Sequence, residues 1–235
     1  MKREELTGNV EELEVLINTG SDDAQAELNA RELLNFFSDE QDTRADELYR
    51  ELHSRILLVL SESLWQRGMA IEALPIAEEA VVLAEQTENK ELLAKAHNNI
   101  GLVSMKLSDY PRALQYYAKA LALSEERGDI AGVAAWTGNI GLVYAHLSDY
   151  PRALEYYAKA LAVHEELGQK ADATGLTGNI GIVYAHLSDY PRALEYFGKA
   201  LAAHEALGQK ANAARVTGNI GAVYTELSDS PRALE

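Results

Sequence analysis

The chain has no cysteine among its 235 residues. This absence excludes disulfide bonds, thiolate metal ligands and a thiol nucleophile. No apolar run approaches the roughly 20 residues that a membrane-spanning helix needs. The charged N-terminal segment also lacks the apolar core of a secretory signal. Together these absences predict a soluble, cytoplasmic protein without a membrane partner.

Catalytic and metal-binding motifs are missing as well. There is no phosphate-binding glycine loop, no H-E-x-x-H and no G-x-S-x-G. Histidines do recur 40 residues apart, as His146 with His186 and His164 with His204. Stacked helices lie roughly 8–10 Å apart, so equivalent histidines are poorly placed to share a zinc ion with bonds of about 2.0–2.1 Å. We therefore expect no enzymatic activity, no cofactor and no metal site.

Positive charge is scarce and unevenly distributed. The chain has 21 Lys and Arg against 37 Asp and Glu, a net charge of −16. Residues 1–96 hold 22 acidic and 9 basic side chains, so most of the negative charge lies there. Binding to nucleic acid requires clustered lysine and arginine. The sequence therefore predicts no nucleic-acid partner.

A repeat of 40 residues organises the chain. Residues 137–176 and 177–216 agree at about three-quarters of positions without a gap, and such a period is typical of stacked repeat architectures. The predicted divisions are an N-terminal segment of degenerate repeats or capping helices (1–56), a divergent repeat (57–96), three full repeats (97–136, 137–176 and 177–216) and a truncated repeat (217–235).

Each repeat shows the pattern of two helices and no strand. One apolar face recurs with helical spacing at Ile140, Val143, Tyr144 and Leu147. A second helix follows, with Asp149 as its predicted N-cap and Pro151 in its first turn. Gly168 is the predicted C-terminal stop.

The segment NIGLVYAHLSDYPRALEYYAKAL resembles the tetratricopeptide repeat. The resemblance rests on Gly141, Tyr144, Ala153, Tyr157 and Ala160. It implies an all-α fold, a right-handed α-solenoid (superhelix) of stacked antiparallel helix-turn-helix repeats. The family's leading tryptophan and closing proline are replaced here, in residues 137–176, by Thr137 and Glu165. This matches the 40-residue variety of bacterial signalling proteins and kinesin light chain.

The resemblance also implies a binding site, because the first helix of each repeat lines the concave groove in this family. Asparagine recurs there, and its amide offers both donors and an acceptor to a peptide backbone. The predicted ladder is Asn99, Asn139, Asn179 and Asn219. Glycines beside it are expected to widen the wall: Gly138, Gly178 and Gly218. Other predicted groove residues are Leu142, Ile182, Lys95, Lys106, His146, His186 and Arg215. The alternative is that the asparagines only bond neighbouring helices and stabilise stacking.

The function expected from this resemblance is a protein–protein interaction module that binds an extended peptide or partner segment. One alternative is a sensory or regulatory region of a larger bacterial signalling protein, such as an adenylate cyclase, a histidine kinase or a transcription regulator. Another is a self-assembling structural array. The final residues, SDSPRALE, break off early in a second helix, which predicts a fragment with an uncovered face at Ile220, Val223, Tyr224 and Leu227. That face predicts homo-oligomers through the C-terminal end.

Overall fold

A computed structural model describes residues 3–19, 23–39 and 46–229, and within these ranges the chain is all-α, with eleven helices and no strand. The first six helices are α1 (Arg3–Thr19), α2 (Asp23–Asp39), α3 (Glu47–Gln66), α4 (Ala70–Ala84), α5 (Lys90–Lys106) and α6 (Tyr110–Arg127). The remaining five are α7 (Ile130–His146), α8 (Tyr150–Glu166), α9 (Lys170–His186), α10 (Tyr190–Ala206) and α11 (Lys210–Asp229).

The chain divides into two compact units. Unit 1 is Met1–Gly128, with helices α1 to α6, and unit 2 is Asp129–Glu235, with helices α7 to α11. Within unit 2 each helix packs against the next, and turns of three residues join them. The predicted stack of helix-turn-helix repeats is therefore confirmed within each unit.

The helix ends follow the predicted capping pattern. Asp149 accepts a hydrogen bond from the backbone N–H of Arg152 (3.2 Å), and Pro151 lies in the first turn of α8. Gly168 has a φ of 69°, in the left-handed region where glycine carries no Cβ penalty. These local signals fix the helix boundaries. The helix pair α7–α8 begins at Ile130. The repeat boundary predicted between residues 136 and 137 therefore lies inside α7.

The cores of the hairpins α7–α8 and α9–α10 depend on a close approach at one glycine. A Cβ built on Gly141 lies 2.9 Å from the Tyr157 ring, which is 1% exposed. The same contact recurs between Gly181 and Phe197. Glycine at this position therefore lets the two helices of a hairpin approach closely.

Two predictions about apolar faces are wrong. Leu147 does not pack in the core: it follows α7 as its C-cap residue and is 47% exposed. The expected open face of α11 is largely covered, because Val223 is buried in a cluster with Phe197, and Ile220 and Leu227 pack against that cluster. Tyr224 is the exposed member. The predicted second helix of the truncated repeat lies outside the described residues.

The segment 1–56 is helical in its described part, as predicted. α1 and α2 pack on α3, and the Arg55 guanidinium makes a two-pronged ion pair with Glu14 at 2.6 and 2.7 Å. The Ser63 hydroxyl donates to the carbonyl of Asp23. Among the described residues, no helix combines the length and apolarity that crossing a bilayer requires.

Candidate functional site

Two neighbouring clefts open between the first helices of the hairpins in unit 2. The cleft between α7 and α9 has a volume of about 230 Å³, and the cleft between α9 and α11 about 380 Å³. Ile182 and His186 line both clefts, so the two adjoin, and together we call them the groove. Six of the predicted site residues line it: Leu142, His146, Asn179, Ile182, His186 and Asn219.

The floor of the groove is apolar. The rings of Tyr157 and Phe197 reach it from the second helices α8 and α10, and both rings are otherwise buried. Leu142 and Ile182 form its walls on α7 and α9. Bound side chains would thus lose water against a hydrophobic surface, which favours binding by about 25 cal/mol per Å² of apolar area buried.

Asn179 and Asn219 place polar groups in this apolar groove. Both side chains are half-buried, and neither has a hydrogen bond to any other residue that the structure describes. Their donors and acceptors are therefore open to a bound molecule.

Asn99 occupies the same repeat position in unit 1 but is engaged within the fold. It is 5% exposed, and its Oδ1 accepts a hydrogen bond from the Ser61 hydroxyl on α3 at 2.7 Å. At this position the alternative, helix stacking, replaces the predicted ligand role. The reason lies one repeat earlier: the position of Ser61 is held by Gly141 before Asn179 and by Gly181 before Asn219. Glycine has no side chain with which to bond the amide.

This difference predicts opposite effects of the same substitution. Asn99→Ala is expected to lower the free energy of unfolding of unit 1 by about 1–2 kcal/mol, because it removes a buried hydrogen bond and leaves Ser61 without that partner. Asn179→Ala should change the stability of unit 2 by less than about 0.5 kcal/mol. Urea denaturation measures both, with Trp65 reporting on unit 1 and Trp136 on unit 2. Equal losses at the two positions would contradict the distinction.

Two tyrosines at or beside the groove are absent from the sequence prediction. Tyr190 lines the second cleft, together with Glu226. The ring of Tyr150 stacks on that of His186, with centroids 5.7 Å apart and planes inclined by 5°. A signal for the tyrosines exists in the sequence, since SDYP recurs at the start of α6, α8 and α10. By itself that motif predicts only a helix cap.

The predicted role of two glycines is wrong. Gly138 is buried, and a Cβ on it would lie 3.2 Å from Leu176 of α9 and 3.7 Å from Ala160 of α8. Gly178 is buried in the same way near Ala200. Both glycines therefore serve helix packing and do not widen the groove. Gly218 is exposed on α11.

The remaining predicted residues do not line the groove of unit 2. Asn139 is half-buried on α7, and Arg215 is exposed on α11. Lys95 and Lys106 belong to α5 in unit 1, where Lys95 pairs with Glu91 at 2.8 Å and the Lys106 ammonium lies 5.1 Å from the Trp65 ring centre. The part of the chain that the structure describes has no group of three or more histidine, aspartate or glutamate residues suited to a metal ion.

Comparison with known sequences identifies the repeat. Residues 52–126, 92–166 and 171–235 match the sequence model of the tetratricopeptide repeat. The chain belongs to the tetratricopeptide repeat family. Membership confirms the resemblance found in the sequence and supports a role in protein–protein interaction. A comparison with curated proteins found no match.

Solved structures with a tetratricopeptide fold are similar to the chain. BtubC (BKLC) from P. vanneervenii is 24% identical, with a TM-score of 0.69, and the match covers 94% of this chain and 86% of that one. The signal transduction ATPase with a tetratricopeptide repeat sensor from Pyrococcus horikoshii is 16% identical, with a TM-score of 0.74, covering 92% and 32%. A Rap protein complexed with competence and sporulation factor is 16% identical, with a TM-score of 0.69, covering 99% and 74%. At these identities the likeness shows the fold alone.

Proposed function

We propose that unit 2 is a peptide-binding module, in which an extended segment of a partner protein lies along the groove. The observation that carries this proposal is the pair of half-buried amides, Asn179 and Asn219, which line successive clefts without a partner among the described residues. A planar amide donates to a carbonyl and accepts from an N–H, so it bonds a peptide backbone whatever its side chains. The family's general use as a non-catalytic interaction scaffold agrees with this function.

The spacing of the repeats suits an extended chain. Equivalent positions on stacked helices lie roughly 8–10 Å apart, and a strand-like peptide rises about 3.3 Å per residue. Asn179 and Asn219 would therefore bond backbone groups about three residues apart. The side chains between them face the apolar floor formed by Tyr157 and Phe197.

The polar residues of the groove indicate which peptides fit. His146 lines the first cleft, Glu226 lines the second, and His186 lines both. A basic side chain is favoured beside the Glu226 carboxylate. The preferred ligand is thus an extended segment with apolar residues and a basic residue at the end that lies in the second cleft.

The proposal is tested by selecting peptides from a random 12-residue library displayed on phage, with the full chain as bait. The best peptide is synthesised and its Kd measured by isothermal titration calorimetry. Asn179→Ala with Asn219→Ala is expected to weaken binding about 30- to 100-fold, since each lost hydrogen bond contributes about 1–1.5 kcal/mol.

Asn212→Ala is the matched control, because this asparagine is exposed on α11 and does not line the groove. Its affinity should equal that of the wild type. If the double variant keeps its fold and binds the selected peptide as tightly as the wild type, the amide ladder is not the binding element.

A further inference from the structure

A larger cavity lies in unit 2 apart from the groove, between the C-terminal end of α8, the N-terminal half of α9 and the C-terminal half of α10. We call it the turn cavity. Its volume is about 510 Å³, within the range of small-molecule sites. It shares no lining residue with the groove, so the proposed peptide ligand leaves it unexplained.

Most of the apolar wall of the turn cavity consists of small side chains, with Leu207 as the one large member. Ala173, Ala203 and Ala206 line it. The equivalent positions 40 residues earlier hold Val133, Val163 and Glu166. The space therefore arises from three large-to-small differences between otherwise similar repeats.

A buried histidine supplies the polar wall. His164 lines the cavity and is only 5% exposed. Its Nδ1 lies 2.6 Å from Oε1 of Gln169. Because a carbonyl oxygen only accepts, Nδ1 carries the proton and Nε2 presents a lone pair. His164 has no other hydrogen-bond partner among the described residues, so its Nε2 is left to accept a hydrogen bond from a bound molecule or from water.

The pairing of this histidine with a glutamine recurs in the next repeat. His204 and Gln209 repeat it at the same distance, 2.6 Å. In the earlier repeat the two positions hold Ser124 and Asp129, and there Asp129 caps α7 through the N–H of Gly132 at 2.9 Å. Gln169 makes no such side-chain cap for α9. At this position the repeat therefore lacks a stabilising side-chain cap for α9, and the Gln169 side chain instead orients His164.

The two threonine hydroxyls of the wall are also acceptors. Thr174 and Thr177 line the cavity, and their hydroxyls donate to the carbonyls of Lys170 (2.6 Å) and Ala173 (2.8 Å). Only their oxygen lone pairs remain for a ligand. Three charged residues line the cavity: Glu165, Lys170 and Lys199. The Lys199 ammonium pairs with Glu195 at 2.6 Å, which leaves one acidic and one basic side chain, and this balance favours a neutral ligand over an anion or a cation.

We propose that the turn cavity binds a small, neutral, aromatic molecule that carries an N–H or O–H donor, with the donor bonded to Nε2 of His164 and the ring against the alanine methyl groups. The site is independent of the peptide groove. Indole is a suitable probe, and benzofuran is its matched control, because an oxygen acceptor replaces the N–H donor in a molecule of nearly the same shape.

Binding is measured by saturation-transfer and ¹H–¹⁵N NMR titration of the full chain. Indole is expected to bind at least tenfold more tightly than benzofuran. A double variant, Ala203→Val with Ala206→Glu, introduces the side chains that the preceding repeat has at these positions. It fills the cavity and should abolish binding of both molecules. His164→Ser, which restores the residue of the earlier repeat, should remove the preference for indole and leave benzofuran binding in place.

The outcomes separate this site from the groove. Asn179→Ala with Asn219→Ala should leave indole binding unchanged, whether or not the groove binds peptides. Equal affinities for indole and benzofuran, indole binding that survives the filled cavity, or no indole binding up to millimolar concentration would each overturn the proposal.

Discussion

Gly181→Ala is expected to lower the free energy of unfolding of unit 2 by about 2 kcal/mol. A Cβ at this position lies 2.7 and 2.8 Å from Cδ1 and Cε1 of Phe197, closer than carbon atoms can approach. The ring is 1% exposed, so α9 and α10 must separate or the ring must leave its rotamer to admit the methyl group. The gain in helix propensity from glycine to alanine, roughly 1 kcal/mol, only partly offsets this overpacking.

Gly175→Ala is the matched control in the same helix. No atom lies within 4 Å of a Cβ built there, and the preceding repeat already has Ala135 at this position. This variant should be as stable as the wild type or up to about 1 kcal/mol more stable. Urea denaturation followed by the fluorescence of Trp136 gives both values.

A second variant tests the cause of the loss. Adding Phe197→Leu to Gly181→Ala should restore part of the stability, because the smaller side chain makes room for the new methyl group. If Gly181→Ala is as stable as Gly175→Ala, the close contact between α9 and Phe197 does not exist in solution.

The sequence predicts the local structure of the repeats well because each signal is carried by one residue and its neighbours. Asp149 caps α8 and Gly168 takes a left-handed conformation for reasons that do not depend on distant residues. The close approach at Gly141 is also predictable, since the family pattern has a small residue there. The helix positions and the hairpin pairing follow from these signals.

The side of the helix that faces a ligand is harder to predict. A first helix such as α7 packs against α8 of its own hairpin and also against α9 of the next. Its buried surface is therefore wider than the single apolar stripe suggests, and it includes Gly138, which contacts Leu176 and Ala160. The surface of α7 that lines the groove therefore includes Leu142 and His146 but not Gly138.

The asparagines show why a repeated residue need not have a repeated role. Asn99 and Asn179 occupy the same repeat position, but the first is bonded to Ser61 and the second has Gly141 in that place. The difference depends on a residue about 38 positions earlier in the chain. Only the three-dimensional register of the stack reveals that these residues meet.

His97 is expected to make unit 1 sensitive to mild acid. It is 5% exposed and lies 5.5 Å from the ring of Tyr116, and its Nδ1 has no hydrogen-bond partner among the described residues. Burial lowers the pKa of His97 to about 4, and the charge of Lys119 adds to this effect. In the unfolded chain the ring has the ordinary pKa of about 6.5. Between these two values the unfolded state binds a proton that the folded state excludes.

The sign of the pH effect follows from this difference. Stability is full above the unfolded pKa and falls as the pH drops towards the folded pKa, by about 1.4 kcal/mol per pH unit. Between pH 7 and pH 5 the free energy of unfolding of unit 1 should therefore decrease by about 2 kcal/mol. Burial raises the pKa of the Glu62 carboxyl in the same unit, so the effect of His97 is isolated by comparing the wild type with a His97 variant.

The control replaces His97 by threonine, the residue that Thr137 and Thr177 provide at the same repeat position. Urea denaturation at a series of pH values, in a Trp136→Phe background, isolates the signal of Trp65 and hence of unit 1. His97→Thr should lose about 2 kcal/mol less than the wild type between pH 7 and pH 5, whatever its absolute stability. Parallel pH profiles in the two proteins would show that His97 titrates as freely in the folded state as in the unfolded chain, and that the interface around Tyr116 admits water.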